Sequence, residues 1–245
     1  RIPRAPPTSS TTEVEMRSML VSVMFGAMLS GCANRAFSPP AGWVPAEDPA
    51  VLGPDEQAVT VNGGVGLVGL GARLAGGEVR YRRGYDAMTE LQVDVAGVAI
   101  GNGDREQFPW VLSTRVGAKG LVMKDVPHLS WSAGLGLGGS AAGGFSSGEL
   151  GLQLGWVNPV LTPWVCVSGI LSVPLGATEV NMAAHGKDPD FDHPVTTAAL
   201  RFGFGLTGHL GPLDLTLAAA HLRLQDVDGD AEQVLGGTVS ASWRW

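Results

Sequence analysis

Charge is scarce in this chain. Of 245 residues only 16% are Asp, Glu, Lys or Arg, and the balance is acidic, with a formal net charge of −7. Nucleic-acid binding normally rests on a basic footprint, so no nucleic-acid partner is expected. Cysteine is scarcer still: Cys32 and Cys166 are too few for a disulfide framework. No apolar run beyond residue 31 approaches the roughly 20 residues of a membrane-spanning helix. There is no phosphate loop, zinc spacing or nucleotide fingerprint, so neither a cofactor nor a metal site is expected. What is abundant is glycine, 36 residues without a collagen period, in a chain that is 44% hydrophobic. Each interior glycine costs a helix about 1 kcal/mol relative to alanine, whereas tight turns and close-packed strands accept it.

The first 57 residues read as address and tether. Residues 1–15, Arg1 to Glu15, are rich in Pro, Ser and Thr and have no apolar period. They are expected to be an extension ahead of a true start at Met16. From Met16 a basic Arg17 precedes an apolar run, Met19 to Leu29, and then small residues. That is the pattern of a signal peptide over 16–31. Its end, Leu29-Ser30-Gly31-Cys32, resembles the lipobox of bacterial lipoproteins. The resemblance implies acylation of Cys32, removal of the preceding segment, and Cys32 as the new N-terminus. Ala33 rather than Asp follows, which is compatible with outer-membrane delivery. Residues 32–57 contain Pro39, Pro40, Pro45, Pro49 and Pro54 and read as a stiff, extended periplasmic tether without a fold of its own.

From Ala58 the pattern alternates with period 2, the signal of a strand with two unlike faces. Leu150, Leu152, Leu154 and Trp156 oppose Glu149, Gly151, Gln153 and Gly155. Leu91, Val93 and Val95 oppose Glu90, Gln92 and Asp94. Leu200, Phe202, Phe204 and Leu206 oppose Arg201, Gly203, Gly205 and Thr207. Ten strands are expected, at 58–68, 72–85, 88–101, 109–122, 128–139, 145–157, 162–174, 195–209, 212–224 and 233–245. The ninth changes phase, with Leu213, Leu215 and Leu217 on one parity and Leu222 and Leu224 on the other, so a bulge is expected near Ala219. Short connections alternate with mostly longer, more polar ones. Aromatics gather at both ends: Tyr85, Trp131, Trp156, Trp164, Trp243 and Trp245 toward the short turns, Phe108, Trp110 and Phe145 toward the long loops. By parity, Trp164 falls on the polar face.

Strands of this length, alternating loop lengths and two aromatic girdles resemble the small outer-membrane β-barrels of bacteria over residues 58–245. The resemblance implies an all-β, antiparallel up-and-down transmembrane barrel of about ten strands. Its apolar face would meet outer-membrane lipid, with short turns and both ends on the periplasmic side. The terminal Ser240-Ala241-Ser242-Trp243-Arg244-Trp245 resembles the strand by which the barrel-assembly machinery recognises its clients. That machinery and outer-membrane lipid are therefore the expected partners.

With lipid outside, the polar face lines the lumen. Glu78, Arg80, Arg82, Glu90, Asp94, Arg115, Lys119, Glu149, Arg201, Asp214 and Arg244 are the expected lumen charges. Both signs are present in similar number and a ten-stranded bore is narrow. The expectation is a structural, charge-filled lumen, with a narrow pore as its variant and no catalysis. Two loop clusters keep an enzymatic alternative open. His185, Asp188, Asp190, Asp192 and His193 supply residue types used at the rim of omptin-like proteases or lipid hydrolases. Asp226-Val227-Asp228-Gly229-Asp230-Ala231-Glu232 begins like a calcium loop, but Ala231 and Gly237 stand where the motif needs Gly and Glu. Cys166, His128 and His221 read as structural. A third alternative is a soluble lipoprotein barrel with its apolar face inward, around an apolar ligand.

Overall fold

Alternation over long stretches leaves each strand one apolar face and a backbone needing partners on both edges. A sheet closed on itself satisfies both demands without leaving an edge. The computed structural model describes residues 48–245 apart from 70–71, 102–109, 126, 141–142, 176–194, 228 and 230. Ten strands run in chain order: β1 (Gln57–Val68), β2 (Ala72–Gly84), β3 (Thr89–Gly101), β4 (Trp110–Met123), β5 (His128–Ser140), β6 (Gly143–Gly155), β7 (Leu161–Pro174), β8 (Thr197–Leu210), β9 (Leu213–Asp226) and β10 (Ala231–Arg244). Each pairs antiparallel with its sequence neighbours, and β1 closes the barrel on β10, from Ala58 opposite Arg244 to Val68 opposite Val234. Hydrogen bonds exchanged between Gln57 and Trp245, 2.9 and 3.0 Å, finish the seam.

The apolar face is outside. Leu135 and Leu150 are 75% and 70% exposed, and Val65, Val116, Phe204, Leu217 and Val239 share that outward surface. A continuous surface of this kind would associate or precipitate in water, whereas hydrocarbon wets it at no cost. The soluble reading, which needs the apolar face inward, is therefore corrected. Tyr85, Trp156, Trp243 and Trp245 project outward at the short-turn end, and Trp110 does so at the other. Two aromatics leave the expected girdles. Trp164 is inside, its indole Nε1 donating to Thr207 Oγ1 at 3.1 Å. Phe145 is also inside, 2% exposed. Phe108 lies outside the described residues.

The expected bulge in β9 is absent. Pairing runs without a slip on both of its edges, and inward and outward residues alternate from Leu213 to Asp226. Leu222 and Leu224 break the hydrophobic pattern because the lumen itself turns apolar toward the long-loop end, with Arg223 left facing outward. The register shift among these ladders lies instead at Leu121–Met123, between β4 and β5.

Candidate functional site: a lumen of three layers

At mid-height the inward charges form one connected chain. Arg80 Nη2 meets Glu78 Oε1 at 2.6 Å and Arg80 Nε meets Asp94 Oδ1 at 2.6 Å. Asp94 Oδ2 takes Arg115 Nε at 2.6 Å, and Arg115 Nη1 reaches Glu149 Oε2 at 2.7 Å. Glu149 Oε1 then binds Arg201 Nη2. Three guanidinium groups and three carboxylates thus cancel, all of them buried. Arg80, Asp94 and Arg115 are direct cross-strand partners on β2, β3 and β4. To reach β6, Arg115 must cross β5, and Gly134 makes the room. A Cβ there would stand 3.2 Å from Arg115 Cδ.

Toward the long loops the lumen is apolar. Leu74, Ile170, Ala199, Leu222, Leu224 and Val234 pack together, with Val68, Val98 and Ile100 at their margin. Val98 and Ile100 also touch Val111 and Phe145, so the layer reaches around to β4 and β6. The expected uniformly polar interior is corrected here. Most inward positions of this layer are aliphatic, with buried Ser172, Thr197 and Asp226 also on the inner face near this end.

At the short-turn end a stretch of backbone occupies the bore. Residues 48–56 fall within the stretch expected to be an extended tether, yet Asp48, Pro49 and Leu52 are buried in the barrel mouth. Lys119, 2% exposed, donates its Nζ to the carbonyls of Asp48 at 2.5 Å and Ala50 at 2.7 Å. Glu90 Oε2 accepts the Leu52 N–H at 2.9 Å, and its other oxygen lies 3.4 Å from Arg82 Nη1. Gly53-Pro54-Asp55-Glu56 then turns the chain into β1. Glu56 N–H donates to Gly53 O at 3.1 Å, and Asp55 takes φ 63° at the third position, the form of a type II turn with Pro second. Gly84 is obligatory beneath it, because a Cβ would lie 1.9 Å from Gly53 O. Burial pushes the Asp48 carboxyl above its ordinary pKa, a displacement that nearby Lys119, Arg82 and His209 oppose.

His209 is the mouth residue that the sequence pattern did not single out. Its Nδ1 is 2.7 Å from Asp214 Oδ1, and its Nε2 is 2.9 Å from Thr162 Oγ1 and 3.7 Å from Asp48 Oδ2. Asp214 is also held by Arg244 at 2.9 Å. Carboxylate, imidazole and hydroxyl stand in relay order. Asp48 approaches the same ring nitrogen, Nε2, as Thr162, so the group acts as a clamp on the entering chain. Only its register could have revealed it, since His209 lies directly opposite Asp214 across the β8–β9 ladder.

All eleven expected lumen charges thus lie on the inner face, divided between the mid-height chain and the mouth. Cys166 is inward and buried, His128 is half-buried at the start of β5, and His221 faces outward. Asp226 ends β9 and Glu232 lies near the start of β10. Asp228, Asp230, the 185–193 cluster and Cys32 lie outside the described residues.

No family model matches this chain, and no curated protein matches it in sequence. Solved structures resemble its barrel. The translocator domain of autotransporter NalP from Neisseria meningitidis aligns over 96% of this chain and 97% of its own, at 10% identity and TM-score 0.45. LpxR from Salmonella typhimurium covers 76% and 99%, at 8% identity and TM-score 0.42. The N-terminal β-barrel domain of Pseudomonas aeruginosa OprF covers 79% and 100%, at 11% identity and TM-score 0.35. Such likeness concerns the shape of the barrel and carries no activity across.

Proposed function

We propose that this chain is a bacterial outer-membrane lipoprotein whose barrel is a closed, non-conducting scaffold without catalysis. The carrying observation is the filled bore. An aliphatic layer, a neutral chain of buried ion pairs and an entering peptide segment occupy successive levels of one lumen. A conducting path needs continuous water, and each of these levels interrupts it. Between the structural and narrow-pore variants, the packing favours the structural one.

The lipid anchor fits the same geometry. Segment 48–56 enters at the short-turn end, which in outer-membrane barrels is periplasmic. The chain from Cys32 to Asp48 spans at most roughly 58 Å when extended. An acyl group on Cys32 would thus reach the periplasmic leaflet beside its own barrel.

The test is mobility on native gels with and without boiling, followed by conductance in planar bilayers. The expected result is a heat-dependent shift, the signature of a folded membrane barrel, with no steady current. A steady current carried by the folded form would overturn the closed-scaffold reading. Absence of the shift, with solubility in plain buffer, would overturn the membrane reading.

A further inference from the structure

The lipid-facing wall is not uniform. Across β5 to β10 it dips into a groove of about 570 Å³, lined almost wholly by apolar atoms. That is the size of a pocket for a drug-sized ligand, about 300–1,000 Å³. The dip has a sequence cause. Outward Ala219 lies in register between Phe204 on β8 and Gly237 on β10, so small side chains make the floor while Phe202, Phe204 and Leu235 rise beside it.

One rim of the groove is polar, which a wall in hydrocarbon does not need. His221 lines the groove and lies 3.2 Å, Nε2 to Oε1, from Gln233. Outward Arg223 is the register partner of Gln233 and has no acidic partner among the described residues. Height explains this rim. Arg223 is ten residues along β9 from Leu213, which pairs with Trp243 of the short-turn girdle. At a rise of ~3.4 Å per residue and a tilt of ~40°, that separation is about 26 Å along the barrel axis. The apolar band of such barrels is about 25 Å tall. Arg223 therefore stands at the opposite interface, in the headgroup layer. His221 and Gln233 stand just below it, and the groove lies in the hydrocarbon beneath them.

We infer that this groove is a docking site for one lipid of the long-loop leaflet whose phosphorylated headgroup carries a net negative charge. An acyl chain would lie over Ala219 between Phe204 and Leu235. The phosphate would meet the Arg223 guanidinium, a charge-assisted pairing favoured where water is scarce. His221 and Gln233 supply further polar contacts to the headgroup linkage. The assignment rests on the membrane-spanning reading, which the heat-dependent mobility shift tests separately.

The experiment reconstitutes the full chain into phosphatidylcholine vesicles containing a minor fraction of phosphatidylglycerol with the same acyl chains. Lipid retained after mild detergent extraction is then counted by native mass spectrometry. The wild type is expected to keep one phosphatidylglycerol in preference to phosphatidylcholine. Arg223→Gln should weaken that retention about tenfold or more, as loss of a charge-assisted bond implies. Ala219→Leu, which fills the floor, should abolish retention of either lipid, and both variants should keep the heat-dependent shift. Equal retention of the two lipids by the wild type, or retention indifferent to both substitutions, would overturn the assignment. So would a wild-type dimer that Ala219→Leu dissociates, since a second copy would then be the occupant. Failure of the wild type to enter vesicles at all would overturn the membrane reading and the lipid site with it.

Discussion

Glu149→Gln tests whether the middle of the barrel is dry. Glu149 bridges Arg115, at 2.7 Å, and Arg201. Neutralising it does not affect its two partners equally. Arg115 keeps Asp94 at 2.6 Å, while Arg201, a buried cation, loses the Glu149 carboxylate. Removing one member of a buried ion pair costs about 3–5 kcal/mol. The glutamine keeps the volume and can still accept one hydrogen bond, so the lower end, about 3 kcal/mol, is expected. In urea titrations of vesicle-bound protein followed by tryptophan fluorescence, the midpoint should fall by roughly 1–3 M for an m-value of about 1–3 kcal/mol/M. Arg201→Met should be less costly in the Glu149→Gln background than alone, because the ion pair between the two is already broken there. A loss below about 0.5 kcal/mol, with no coupling, would mean that both groups are hydrated. The bore would then hold water, and the closed-scaffold reasoning would fail.

Other consequences can be checked alongside. Leu135→Arg places a charge on the outward face midway along β5, and unfolding stability in vesicles should drop by about 2–4 kcal/mol; a neutral result would contradict immersion of that face in hydrocarbon. Gly84→Val removes the space under Gly53, so protease cleavage within residues 48–56 should become fast while the heat-dependent shift persists. Unchanged protection would show that the segment is not seated there. Asp48 gives a pH signature. Its pKa is raised by burial in the folded state, so its contribution to stability is fully present below the unfolded-state value and is lost as pH rises through the folded value. Asp48→Asn should flatten that decline in stability-versus-pH profiles. An identical slope in the variant would assign the pH dependence to other groups.

Much of this architecture is written in local pattern. Period-2 alternation set the number of strands and which side chains share a face, because consecutive Cβ atoms of a strand point to opposite sides. Parity alone therefore gave the inward placement of Arg115, Glu149 and even Trp164. Pairing partners were not legible, because register depends on both strands of every ladder. The chain from Glu78 to Arg201 and the opposition of His209 to Asp214 are products of register. Leu222 and Leu224 depart from the expected pattern for a related reason. Alternation reports that two faces differ but not which is apolar, and the lumen changes from polar to aliphatic along its length. Only closure of the barrel, which brings Leu74, Ile170 and Val234 together from distant strands, reveals that layer.

The same division holds for residues 48–56. Five prolines before β1 excluded regular structure, and Pro54-Asp55 marked a turn, both from the chemistry of single residues. Whether that segment trailed in water or entered the bore depended on Lys119, Glu90 and the bare Cα of Gly84, which are far from it in sequence and meet it only when the sheet closes. The faces, lengths and number of the strands follow from local pattern, since they are properties of backbone and side-chain alternation. What fills the barrel follows from closure, since a lumen exists only after ten strands have closed around it.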